Sequence, residues 1–116
     1  MSPINQIDRL KSQLYALRPL PEAVDKNINK DILLRWTYYS NAIEGNTLTL
    51  LETKVVLEGI TVGGKSMGEH LEAINHRDAI YFLEDLVKEN NPLSECDILQ
   101  IHSLILKGIH DDYAGR

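Results

Sequence analysis

Ser66 and Glu69 open, and Asn90-Asn91-Pro92 close, a stretch in which Leu71, Ile74, Ile80, Leu83, Leu86 and Val87 recur at helical spacing. No other feature constrains the fold as strongly. A serine hydroxyl that caps the amide three residues on, with a glutamate reaching back to the serine's own amide, satisfies two donors a helix start would leave unpaired. Asparagines followed by proline cannot continue the helix. The spacing predicts a helix over 67–89.

The same signals recur along the chain. Ser2 as N-cap and Pro3 at the first helical position precede Ile4, Ile7, Leu10, Leu14 and Leu17, predicting a helix over 3–17. A second helix is expected from near Pro21 to Ile43, with Val24, Ile28, Ile32, Leu33, Trp36, Tyr39 and Ile43 on one broad core-facing side. The polar run Asp25–Asp31 leaves room for a break in it. Thr49 and Glu52 form another capping box, predicting a short helix over about 50–58, and 60–65 reads as loop. Ser94 caps a last segment carrying Ile98, Ile101, Leu104 and Ile105, closed by Gly108. With no strand pattern, internal repeat or dividing linker, the fold class is all-α, a bundle of about five helices.

A chain of 116 residues can bury about two-thirds of the surface its unfolded form exposes. Twelve Lys and Arg against 17 Asp and Glu give a net charge of −5, which argues against broad nucleic-acid or anionic-membrane surfaces. The lone Cys96 excludes an internal disulfide framework and a cysteine-based zinc cluster, and a reducing cytoplasm fits best. No apolar run approaches the roughly 20 residues of a membrane span, and the N-terminus lacks the features of an export signal.

Several strings imitate chemistry. Gly59-Ile60-Thr61-Val62-Gly63-Gly64-Lys65-Ser66 satisfies the P-loop pattern, and Tyr81–Asp85 imitates a Walker B run. A P-loop wraps backbone amides around phosphates between a strand and a helix. Here helical signals precede Gly59, so a glycine-permitted turn capped by Ser66 is the better reading, with P-loop nucleotide binding through Lys65 kept as an alternative. His70-Leu71-Glu72 lacks the cysteines of a zinc deaminase, and His76, His102 and His110 have no metal-ligand spacing, so surface or packed histidines are expected and no metal site. Cys96 has no local base to make it a nucleophile and is read as packing. Trp36, Tyr38 and Tyr39 are read as core rather than as a base-stacking platform.

Ser40-Asn41-Ala42-Ile43-Glu44-Gly45-Asn46 is different, because it sets a carboxylate on the last turn of a helix, beside a glycine stop. Partial negative charge gathers at a helix C-terminus, so Glu44 costs about 0.3–1 kcal/mol there unless a cation elsewhere receives it. A local rule broken without local gain points to function.

This segment, extended through Thr47-Leu48-Thr49-Leu50, resembles the inhibitory-helix signature (S/T)-x-x-x-E-(G/N) of class II Fic proteins. Gly64-Lys65-Ser66, Glu72-Ala73-Ile74-Asn75-His76 with Ala79, Ile101–Leu106 and Ala114-Gly115-Arg116 follow in the order and approximate spacing of the first half of a Fic domain. The resemblance implies an N-terminal helical extension over 1–28, an inhibitory helix with its C-cap over 29–46, and the N-terminal part of the Fic domain over 47–116. Such enzymes pass AMP from ATP to a protein side chain, using a loop H-x-F-x-(D/E)-G-N-G-R-x-x-R whose histidine is the base and whose acidic residue holds Mg²⁺. That string is absent here, and the sequence ends where the family's β-hairpin flap would begin.

The resemblance therefore implies no catalytic or metal residue in this chain. ATP and Mg²⁺ serve the parent enzyme, and none is expected bound here. It implies a regulatory motif of Ser40, Glu44, Gly45 and Asn46, with Glu44 facing the nucleotide pocket and paired to the loop's last arginine. A carboxylate about 4 Å from a phosphate charge costs roughly 4 kcal/mol at an effective dielectric of 20, on the order of a thousandfold in productive binding. Ser40, one turn earlier, is placed to steady Glu44, and Gly45 to turn its carboxylate inward. Implied partners are the parent's protein substrate and a second copy of the chain, since an incomplete bundle exposes apolar faces. An inhibitory module acting in trans on a separate Fic toxin, like an antitoxin, is the alternative.

Overall fold

Four helix starts rest on a serine or threonine hydroxyl. In the computed structural model, which describes residues 2–116, Ser2, Thr49, Ser66 and Ser94 each accept the amide three residues on, opening α1 (Pro3–Ala16), α3 (Leu50–Leu57), α4 (Met67–Glu89) and α5 (Glu95–Leu106). The last three are full capping boxes, closed by Glu52, Glu69 and Asp97. α2 (Glu22–Ile43) runs unbroken through the polar stretch Asp25–Asp31. An exposed i,i+4 pair, Lys26 to Glu22 at 3.6 Å, lies in its first turns. The described residues contain five helices and no strand, so the fold is all-α.

Two compact units divide the chain, residues 1–31 and 32–116. In the first, α1 buries no residue: Ile4, Ile7, Leu10, Leu14 and Leu17 are all exposed. Tyr15 lies beneath two cations, Lys11 Nζ at 5.7 Å and Arg18 at 5.4 Å from the ring centre.

The second unit holds the core. Leu48, Val56 and Ala73 are buried together, with Leu57, Val62 and Ile74 packed around them, and Ala79 and Ile80 continue the buried side of α4. α4 contacts both α3 and α5. Helix ends leave carbonyls without intrahelical partners, and α4 supplies side-chain donors at two such ends. Buried Asn75 donates through Nδ2 to the carbonyls of Ile105 (3.1 Å) and Lys107 (2.8 Å) at the end of α5. Arg77 donates to Leu57 O (3.1 Å) at the end of α3.

The expectation for α2 needs correction. Its only buried residue is Thr37, while Trp36, Tyr39 and Ile43 are exposed, Ile43 at 83%. The inward side is the mixed strip of Leu33, Leu34, Thr37, Tyr38, Ser40 and Asn41. A polar pairing rather than apolar burial orients it, because Thr37 Oγ1 meets His76 Nδ1 of α4 at 3.1 Å, with Trp36 edge-on to the same imidazole. Cys96 is also exposed rather than packed, since it lies in the outward first turn of α5, touched by Gln100 Nε2 at 3.8 Å. Among the described residues no helix is long and apolar enough to cross a membrane.

Candidate functional site

Glu44 is the C-cap of α2. The Asn46 amide donates to Asn41 O (3.0 Å) and the Gly45 amide to Ala42 O (3.1 Å), the paired bonds of a Schellman stop. Gly45 carries φ +97°, a conformation that a side chain disfavours. The Glu44 side chain is exposed, not buried as an inward-turned carboxylate would be, and it makes no ion pair among the described residues. Ser40 is partly buried on the preceding turn, and no hydrogen bond joins its hydroxyl to Glu44.

The segment Asn46-Thr47-Leu48, just past this stop, is pinned to the first turns of α4. Asn46 Nδ2 donates to Glu69 O and to Glu72 Oε2, both at 3.1 Å, while its Oδ1 accepts the Leu48 amide at 2.9 Å. The Thr47 amide and hydroxyl both donate to Glu69 Oε2 at 2.6 Å. Lys65 closes the ring from the other side, donating to Thr47 O (2.9 Å) and Thr47 Oγ1 (3.1 Å) and lying 3.8 Å from Glu52. Leu48 then enters the core at 4% exposure, tying the segment to the packed unit.

These contacts shape the titration of the carboxylates. The Thr47 hydroxyl and amide, then Ser66, hold Glu69 down to about 2. Glu52 is lowered chiefly by the Thr49 amide of its own capping box, with help from Lys65. Burial pushes His76 below the ordinary imidazole range.

The P-loop alternative fails on this geometry. The segment before Gly59 is α3 rather than a strand, the mock Walker B run lies inside α4, and the Lys65 ammonium is turned toward Thr47 and Glu52. The Val62 amide, which a phosphate cradle would need, donates to His70 Nε2 at 3.0 Å. That histidine is buried, with its Nδ1 on Ser66 O at 2.7 Å. His102 Nδ1 accepts the Gly115 amide at 3.2 Å, and His110 is exposed.

Sequence reasoning alone does not bring Glu69, Glu72, Thr47 and Lys65 into the site. Glu69 is legible there only as the capping partner of Ser66, and its second oxygen serves a residue 22 positions away.

A protein adenylyltransferase Fic of Nematostella vectensis is 32% identical over 115 residues, 97% of this chain and 27% of the relative. A protein adenylyltransferase fic-1 of Caenorhabditis elegans is 37% identical over 94 residues, 78% of this chain and 18% of the relative. A protein adenylyltransferase Fic of Culex quinquefasciatus is 31% identical over 103 residues, 87% of this chain and 20% of the relative. No family model and no solved structure matches. The chain belongs to the Fic family, and it spans about a fifth to a quarter of the length of these relatives.

Proposed function

We propose that this chain is the N-terminal regulatory portion of a class II Fic-type protein adenylyltransferase, which moves AMP from ATP to a protein hydroxyl, and that Glu44 is its inhibitory carboxylate. One observation carries this. An acidic side chain is presented at the end of α2, where the helix macrodipole opposes it, with the backbone fixed on both sides and no cation of the described residues paired to it. A carboxylate so held is ready for a positive group supplied by another part of the enzyme. The relatives, which are named as adenylyltransferases, support the choice of reaction.

Among the described residues no group of three or more His, Cys, Asp or Glu side chains is placed to hold a metal ion, and Lys65 is engaged by Thr47. ATP is the substrate of the whole enzyme. The exposed side of α2, with Trp36, Tyr39 and Ile43, supports packing against the rest of the Fic domain or against a second copy.

Glu44→Gly in the full-length protein should raise transfer of labelled AMP at least about tenfold, a conservative share of the roughly 4 kcal/mol available to a carboxylate beside a phosphate. Unchanged transfer would remove Glu44 from the role. The 116 residues alone should label neither themselves nor a target.

A further inference from the structure

We infer that Glu69 is a positioning residue for Glu44: its carboxylate, on the first turn of α4, grips Thr47 and so fixes the exit of α2 in the conformation that presents the Glu44 side chain. The inference rests on the regulatory reading of Glu44 and names a residue outside the inhibitory motif through which that reading is enforced.

The two oxygens of Glu69 do different work. Oε1 accepts from the Ser66 amide and hydroxyl, both at 3.3 Å, completing the cap of α4. Oε2 takes the Thr47 amide and hydroxyl at 2.6 Å each. Hydrogen bonds to an ionised oxygen at this length are about twice as strong as neutral ones. The Thr47 hydroxyl is polarised further by Lys65, which donates to the same oxygen at 3.1 Å.

The geometry explains why such a grip bears on Glu44. On its helix side Glu44 is fixed by α2. On its loop side the backbone turn is closed by the Schellman bonds of the Gly45 and Asn46 amides, but an added Cβ at Gly45, φ +97°, would meet no atom within 4 Å, so no packing at that position adds to them. The side-chain restraint comes two and three residues after Glu44, from Asn46 on Glu72 and Thr47 on Glu69. A carboxylate kept ionised down to about pH 2 maintains that restraint throughout the neutral range.

Glu69→Gln separates latch from cap, because glutamine also serves at the third position of a capping box while its amide NH₂ cannot accept from the Thr47 N–H. In the full-length protein it should raise AMP transfer at least about tenfold, the lower end of the worth of one charged hydrogen bond. In the Glu44→Gly background it should add nothing, since there is no carboxylate left to position. Independently, amide exchange at Thr47 should be at least about tenfold faster in Glu69→Gln than in the parent, since the same bond protects that amide.

Activation by Glu44→Gly but not by Glu69→Gln overturns the inference and leaves the regulatory reading standing. Equal activation by Glu69→Gln with and without Glu44 shows that it acts elsewhere and also overturns it. No activation by Glu44→Gly sinks the regulatory reading itself. Unchanged exchange at Thr47 removes the latch whatever the activities are.

Discussion

Thr37 and His76 join α2 to α4 through one hydrogen bond, Oγ1 to Nδ1 at 3.1 Å, with the threonine wholly buried and the imidazole partly so. This is where the proposed inhibitory helix meets the core, and it is polar. Burial lowers the His76 pKa, so the folded state favours the neutral ring. The folded value lies below the unfolded one. The contribution is therefore complete above the unfolded pKa of about 6.5 and is lost as pH falls through it toward the folded value. Urea midpoints should drop as pH falls below the ordinary imidazole value of about 6.5, and His76→Gln should flatten that part of the profile. Thr37→Val should cost about 1 kcal/mol at neutral pH by urea denaturation. A profile in His76→Gln identical to that of the parent would rule the coupling out.

Glu69 responds in a more acidic range. Its folded pKa, about 2, lies below the ordinary value of 4.5, so its support of the Thr47 segment is present above 4.5 and disappears as pH falls from there to about 2. Carbon-detected titration of the Glu69 side chain should place its midpoint at about 2, well below the ordinary value of 4.5. Thr47→Val, which removes the hydroxyl and keeps the amide, should move that midpoint upward. A midpoint near 4.5 in the parent protein would contradict the short bonds to Thr47.

Asn75 holds the end of α5, and its loss should be felt as stability alone. It is 4% exposed and both donor contacts are to carbonyls at the end of α5, Ile105 O in its last turn and Lys107 O at its C-cap. Asn75→Ala should cost about 1–3 kcal/mol, the penalty for leaving buried acceptors without a donor. Asn75→Asp should cost more, because a carboxylate would face two carbonyl oxygens. Chemical denaturation with an unchanged slope would measure both, and a change under about 0.5 kcal/mol for Asn75→Ala would show that water replaces the amide.

Helix starts were legible because a capping box is local. Thr49 with Glu52 and Ser66 with Glu69 lie three residues apart, and the predicted helices over 50–58 and 67–89 begin where α3 and α4 begin. The orientation of α2 was not legible. Periodicity reports only that Val24, Ile28, Ile32, Trp36, Tyr39 and Ile43 share a side, not whether this chain covers that side, and here it stays open. The inward strip is marked by Thr37, whose partner lies 39 positions away. For the same reason Glu44 could be placed at a helix end from its neighbours, whereas the restraint on its exit, Glu69 on Thr47, depends on a contact between separate elements.

Gly45 tests whether the exit of α2 matters to both stability and regulation. Its φ of +97° sits in the region that L side chains enter at a cost of roughly 1–2 kcal/mol, and no atom lies within 4 Å of an added Cβ. Any penalty is therefore conformational rather than a clash. Asparagine tolerates left-handed backbone better than other side chains, and a β-branched residue tolerates it worst. Gly45→Asn should leave the urea midpoint nearly unchanged and AMP transfer low. Gly45→Val should lose about 1–2 kcal/mol or relieve the strain by unwinding the Schellman stop, which frees Glu44 and raises transfer severalfold. Because the Asn46 and Thr47 anchors resist that unwinding, the rise when Gly45→Val is combined with Glu69→Gln should exceed the combined rises of the two separate changes. Additive or smaller effects in the double variant would mean that the turn and the latch act on different things.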